Sequence, residues 1–141
     1  MTLTIGTGPF GDQGDKAFNF EVRAPRDHVL YLEDSPRRVR VVLGGETIAD
    51  SRRVKLLYEA GYLPVYYFPE EDVVRMDLLE ATEHTTHCPF KGDASYWSVK
   101  VGDTVAENAA WGYPEPIDSA PPFAGLIAFY WREMDMWFPR C

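Results

Sequence analysis

A thiol and an ammonium group stand three residues apart in the segment THCPFKG, as Cys88 and Lys91. A nearby cation favours the thiolate, which is the nucleophilic form of cysteine. Lys91 could also stabilise developing negative charge in a reaction. Free cysteine is, however, among the most buried residue types, so a structural Cys88 packed in the core is the alternative interpretation.

Large aromatic side chains follow directly, in SYWSVKV and TVAENAAWGY, which predict a β-hairpin turning at residues 102–103. A two-residue turn would set Tyr96 opposite Ala109 and place Tyr96, Trp111 and Tyr113 on one face. Such rings can hold a flat ligand by stacking, or a cation over their faces. The hairpin therefore predicts one wall of a binding pocket, with a purely packing aromatic cluster as the alternative. We predict that the opposite face belongs to the core and carries Trp97, Val99 and Val101 with Ala106, Asn108 and Ala110.

Two further groups of polar residues are candidate site residues. Glu59 ends the apolar segment VKLLYE, where it could point inward as a base or hydrogen-bond acceptor, or outward into solvent. His84, His87 and Cys88 are all metal-ligand types. A structural zinc site needs four ligands in paired short spacings, and the sequence has no second such pair. We therefore predict no metal site.

Composition limits the classes of partner. The chain has 141 residues, 14 Lys and Arg against 22 Asp and Glu, and a formal net charge of −8, which argues against binding nucleic acid. Two cysteines do not make a disulfide framework. No signal peptide and no apolar run of about 20 residues is visible. We expect a cytoplasmic protein that contacts no membrane and, lacking a phosphate-loop or dinucleotide motif, needs no cofactor.

Short strand-like segments with turns about every 8 to 12 residues predict the elements that hold these residues. We expect a mainly β fold, a single compact domain of antiparallel hairpins with one or two short helical turns, over residues 18–141, and a flexible arm at 1–17. Besides the hairpin above, one hairpin should turn at Gly44-Gly45 and one should join 126–131 to 134–138. VVRMDLLE (73–80) favours a strand, and 81–94 reads as an irregular connection.

The run GGETIADSRR, LLYE, LPVYYFPEEDV, CPFKGDASYWSV, AENAAWGYPEP and IAFYWREMD resembles the domain of unknown function 427 family over about residues 18–138. The resemblance implies curved, β-tent-like sheets and no firmly assigned activity. A nucleotidyltransferase label is attached to the family, but no glycine-serine loop with a following D-x-D occurs here. Some members carry two copies of the domain, so a site between copies would require a homodimer. The family's motif positions fall on Asp50, Ser51, Glu59, Tyr67, Pro69, Thr86, Cys88, Lys91, Gly92, Tyr96, Trp97, Ala110, Trp111, Tyr113 and Pro114.

Elsewhere in the β-tent fold, aromatic cages bind small ligands, so the resemblance favours the region of Trp97, Trp111 and Tyr113. The zinc-binding members of that fold use cysteine pairs, which this chain lacks. Our first hypothesis is therefore a small-molecule binding module. Its pocket residues would be Tyr96, Trp111, Tyr113, Lys91, Glu59 and Thr86.

Two other hypotheses stay open. One is an enzyme that uses Cys88, Lys91 and Glu59 in the same pocket. The other is a homodimeric interaction domain that pairs through an edge strand or through an apolar patch. That patch would consist of Trp131, Met134, Met136 and Trp137.

Overall fold

The structure, a computed structural model, describes residues 29–140, and the side chains of 136–140 are not part of that description. The predicted arm at 1–17, residues 18–28 of the predicted domain and Cys141 lie outside the described residues. Ten strands are present within them: β1 (Leu30–Asp34), β2 (Arg38–Leu43), β3 (Glu46–Ser51), β4 (Lys55–Glu59), β5 (Val65–Pro69), β6 (Leu79–Cys88), β7 (Gly92–Val101), β8 (Thr104–Gly112), β9 (Leu126–Phe129) and β10 (Met136–Arg140).

The strands form two antiparallel sheets. The larger sheet has the order β1-β4-β5-β9-β8-β7-β6, and the smaller sheet has the order β10-β2-β3. The remaining regular structure consists of single 3₁₀ turns at Glu70–Asp72, Met76–Leu78 and Trp131–Glu133. The predicted mainly β, antiparallel fold with short helical turns is confirmed. Within residues 29–140, no helix is long and apolar enough to cross a membrane.

Each face of the larger sheet is buried against a different layer. Side chains alternate along β9, so that Ile127 and Phe129 join one cluster while Leu126 and Ala128 join the other. The first cluster includes Val39, Val41, Ile48 and Ala49 of the smaller sheet, and is therefore the core between the two sheets. The second cluster contains Leu57, Tyr67, Ala94, Tyr96, Tyr113 and Phe123.

The proline-rich segment after β8 covers part of the second cluster. Its Phe123 is fully buried and packs at ring-centroid distances of 5.2 Å from Tyr67 and 5.4 Å from Tyr113. This loop therefore wraps the face of the larger sheet that carries the aromatic residues.

The predicted β7–β8 hairpin forms, but its register is wrong beyond the turn. Val101 lies opposite Thr104 as the turn requires, whereas Tyr96 lies opposite Trp111 rather than Ala109. The cause is a bulge at Asn108, which has a positive φ of 49° and donates its backbone N–H to the Ser98 hydroxyl. The bulge adds two residues to β8, an even number, so Tyr96 and Trp111 still share a face.

Three other predictions were wrong. Most of residues 81–94 form β6 and the start of β7, because β6 is a polar edge strand that lacks apolar alternation. The predicted strand at 73–80 is absent before Leu79: a 3₁₀ turn occupies Met76–Leu78, and β6 begins at Leu79. Segments 126–131 and 134–138 do not pair: β9 lies between β5 and β8, and β10 pairs with β2 in the other sheet. All four β9 residues are buried, as expected for a central strand. The Gly44-Gly45 turn is confirmed.

Candidate functional site

A cavity of about 570 Å³ opens on the face of the larger sheet that carries the second cluster. Its walls come from β4, β5, β7 and β8, from the β4–β5 loop, from the β6–β7 turn and from the residues that follow β9. Six of the chain's eight tyrosines line it. They are Tyr62, Tyr66, Tyr67, Tyr96, Tyr113 and Tyr130.

A buried ion pair lies on the cavity wall. Lys91 Nζ is 2.9 Å from Glu59 Oε1, and the two side chains are only 12% and 10% exposed. Glu59 ends β4 and Lys91 precedes β7, and three strands separate β4 from β7 in the sheet. Strands are spaced at about 4.8 Å, so a flat sheet would hold the two strands about 19 Å apart. The sheet must therefore curl around the cavity for this pair to form.

The turn that carries Lys91 is held by backbone contacts on both sides. Its N–H donates to the Cys88 carbonyl at 3.2 Å, and its carbonyl accepts from the Ile117 N–H at 3.0 Å. The next residue, Gly92, has a φ of 121°, and a Cβ there would lie 3.1 Å from the Glu115 carbonyl oxygen. Glycine is needed here because the proline-rich loop approaches so closely. The loop therefore fixes the position of Lys91.

Phenol groups surround the ammonium group. Lys91 Nζ lies 5.4 Å from the centre of the Tyr113 ring, within cation–π range. Burial by itself would lower the pKa of Lys91, but the facing oxygens of Tyr67, Glu59 and Tyr113 raise it above the ordinary value. Burial also raises the pKa of Tyr67 and of Tyr113. At neutral pH the ammonium group of Lys91 and the phenols of Tyr67 and Tyr113 thus keep their protons.

A second set of hydroxyls lies on the other side of the cavity. The Thr86 hydroxyl is 2.9 Å from the Tyr96 hydroxyl. Partial burial is the largest cause that raises the pKa of Tyr130 to about 12, and a hydrogen bond with Tyr96 is the second. Thr86 does not itself line the cavity, but it hydrogen-bonds a tyrosine that does. These three side chains form a short chain of hydroxyl groups.

The indole of Trp111 lies between the two sets of phenols. Its ring centroid is 4.4 Å from that of Tyr130 in a tilted arrangement and 6.3 Å from that of Tyr67 in an edge arrangement. Both distances are typical of favourable aromatic pairs. Trp111 therefore forms a continuous aromatic wall with residues of β5 and of the segment after β9.

The cysteine and the histidines take different positions. Cys88 is a partly exposed free thiol that lines the cavity beside Lys91. His87 Nδ1 lies 2.6 Å from Asp93 Oδ1 on the exposed edge, and the His84 ring packs against Tyr96 at 4.5 Å. Among residues 29–140, no three His, Cys, Asp or Glu side chains are grouped so that they could hold a metal ion.

The structure brings most of the predicted site residues together. Cys88, Lys91, Glu59, Tyr96, Trp111 and Tyr113 all line the cavity. Glu59 points inward, although a solvated strand end was the alternative. The pocket interpretation missed Tyr67 and Tyr130. Tyr67 could have been found, because it occupies a family motif position on a predicted strand, whereas nothing in the sequence distinguished Tyr130.

The rim of the cavity is apolar and exposed. Tyr62 is 62% exposed and Trp131 is 55% exposed, and Leu63, Phe90 and Tyr130 are also accessible. Of the predicted terminal patch, Trp131 is exposed and Met134 is buried. The side chains of Met136 and Trp137 lie outside the description, so that patch stays a prediction.

Fold and site together define a mainly antiparallel β domain with a curled sheet around a tyrosine-rich cavity. The chain belongs to the domain of unknown function 427 family, which it matches over residues 31–140. No curated protein matches it.

Proposed function

We propose that this protein is a binding module for a small organic molecule, which occupies the aromatic cavity. The observation that carries the proposal is the Lys91–Glu59 pair, a buried donor and acceptor on the wall of a cavity that is otherwise mainly aromatic. Small-molecule sites are concave, mainly apolar and about 300–1,000 Å³ in volume, with a few polar groups that orient the ligand. The cavity has each of these properties.

The aromatic residues supply contact area and the polar pair supplies orientation. Trp111 and Tyr130 offer ring surfaces for a flat ligand, and their 4.4 Å packing limits the freedom lost on binding. The accessible rim gives a ligand a route from solvent to Lys91.

A fragment library screened by thermal shift, with hits measured by isothermal titration calorimetry, tests this proposal. Tyr130→Ala should weaken cavity ligands by about tenfold or more, because it removes a stacking surface. Tyr31→Ala is a matched control, since both tyrosines are 43% exposed and Tyr31 stacks on Tyr58 outside the cavity. The proposal fails if no fragment binds, or if the two variants weaken binding equally.

A second candidate function is an enzyme that uses the Cys88 thiol as a nucleophile. The observation that favours it is that Cys88 and Lys91 line the same cavity. In a Cys141→Ser background, Cys88 should react with iodoacetamide at neutral pH several times faster than a thiol in an unstructured peptide. A rate equal to or below that of the peptide thiol would argue against this function.

A further inference from the structure

The charged groups in the cavity wall restrict the class of ligand. The permanently charged side chains among its lining residues are Lys91 and Glu59, and they pair with each other. His87 also lines the cavity, but it pairs with Asp93 at the exposed edge. The deep part of the cavity therefore carries no net charge.

A ligand carboxylate would place two anions beside one ammonium group. In a partly buried site, like charges at short distance are costly because the effective dielectric constant is low. A ligand phosphate would raise this electrostatic cost further, since it carries more negative charge than a carboxylate. An uncharged polar group avoids this cost and still finds partners.

Those partners are both donors and acceptors. An ammonium has three N–H donors; the Glu59 carboxylate accepts from one of them and the Tyr113 hydroxyl accepts from another, so a third is left for a ligand. Neutral phenols such as Tyr67 and Tyr113 can donate as well, and the Glu59 carboxylate is an acceptor. A phenol or carbonyl oxygen on a ligand matches this arrangement, because it accepts from Lys91 and, as a phenol, also donates to a carboxylate.

Building on the proposed binding function, we infer that the ligand is an uncharged, planar aromatic molecule whose hydroxyl or carbonyl oxygen hydrogen-bonds to Lys91. The rings lie against Trp111 and Tyr130. An aromatic acid, an aryl phosphate and an aromatic ammonium ion are the classes that the paired charges disfavour.

Three probes that share one ring system test the inference on the full chain at neutral pH: naphthol, naphthoate and naphthylmethylammonium. Isothermal titration calorimetry should give a Kd for naphthol at least about tenfold below that of either charged probe. A charged probe that binds as tightly as naphthol, or more tightly, would overturn the ligand class.

Glu59→Gln gives the sharper measurement, because it leaves the Lys91 charge without its partner. Naphthoate can then replace the missing carboxylate, so the preference should invert and naphthoate should bind about tenfold tighter than naphthol. A preference that stays with naphthol would overturn the inferred role of the pair. If this variant does not fold, Lys91→Met/Glu59→Gln removes both charges and should keep the preference for naphthol; a preference for naphthoate there would overturn the inference.

The two levels of the proposal fail differently. If library fragments bind the cavity but naphthol is not preferred, the ligand class is wrong and the binding function stands. If no fragment and no naphthalene probe binds, the binding function itself is wrong.

Discussion

Lys91 and Glu59 are 32 residues apart in sequence, and their side chains meet at 2.9 Å across the curled face of the larger sheet. The contact joins the β6–β7 turn to the end of β4, although three strands lie between β4 and β7. The Lys91–Glu59 ion pair of the cavity can therefore form only while the sheet stays curled, and the ion pair in turn holds that curvature. A change at either residue should affect both stability and binding.

Breaking this pair from one side should be strongly destabilising. Lys91→Met leaves the Glu59 carboxylate buried without its cation, at an expected cost of about 3–5 kcal/mol in the free energy of unfolding. Lys91→Met/Glu59→Gln should recover most of that loss. Urea denaturation measures both, with Lys100→Met as control; it breaks an exposed ion pair with Glu80 and should cost no more than about 1 kcal/mol. Equal losses in the single and double variants would show that the pair is not coupled.

Acid should weaken the fold through Asp72. A hydrogen bond from Arg53 is the largest cause that lowers the pKa of Asp72; burial opposes it, and the Ser51 hydroxyl adds to it. A carboxyl with a lowered pKa stabilises the fold above its unfolded value near 4, and this contribution is lost as pH falls through the folded value.

Asp72→Asn should therefore cost about 1 kcal/mol at neutral pH, a modest value because Arg53 is largely exposed. The difference from the native chain should shrink below about pH 4. Urea denaturation over a pH series measures it, with Asp103→Asn in the exposed β7–β8 turn as control. A difference that stays constant with pH would contradict this account of Asp72.

High pH should destabilise the fold by ionising the tyrosines of the cavity. Burial is the main cause that raises the pKa of Tyr67, Tyr113 and Tyr130, that of Tyr130 to about 12. Groups with a raised pKa stabilise the fold below the unfolded value near 10, and this stability is lost as pH rises through the folded values.

Phenolate absorbance should therefore show that some of the eight tyrosines titrate late or only on unfolding. Tyr130→Phe should remove one late phenol from that titration. The account is wrong if all the tyrosines of the folded protein titrate together near pH 10.

Gly112 should not tolerate a side chain. A Cβ there would lie 2.7 Å from the Leu126 carbonyl oxygen, so Gly112→Ala must push β8 away from β9. We expect a loss of about 1–3 kcal/mol, together with weaker binding of cavity ligands, because Trp111 and Tyr113 flank the glycine. Gly102→Ala meets no atom within 4 Å and should cost only about 1 kcal/mol from its positive φ of 57°. Denaturation curves that give Gly112→Ala the smaller loss would contradict this packing argument.

The sequence predicted those parts of the fold that depend on local patterns. Turn glycines and alternating apolar residues predicted the turns at Gly44-Gly45 and at Gly102-Asp103. The predicted register of Tyr96 was wrong, but the prediction that Tyr96 and Trp111 share a face was right. The bulge at Asn108 shifts the pairing by an even number of residues, which leaves the faces unchanged. Nothing in the sequence around Asn108 identified that bulge.

Local sequence patterns did not predict which strands pair with each other over long distances in the sequence. The adjacent segments β9 and β10 look like a hairpin, yet they belong to different sheets. The β6 edge strand has no apolar alternation because both of its faces are largely exposed, so its pattern resembles a loop. The contact between Lys91 and Glu59 depends on the curl of the sheet, which local periodicity does not determine.

The most direct test of the central claim, that the cavity binds a small molecule, is the indole N–H signal of Trp111 in nitrogen–proton correlation spectra during a titration with naphthol. We predict that this signal shifts with saturation, while the signal of Trp97, which packs on the opposite face of the sheet, stays in place. Folded protein whose Trp111 signal does not move with naphthol or with any library fragment would contradict the account.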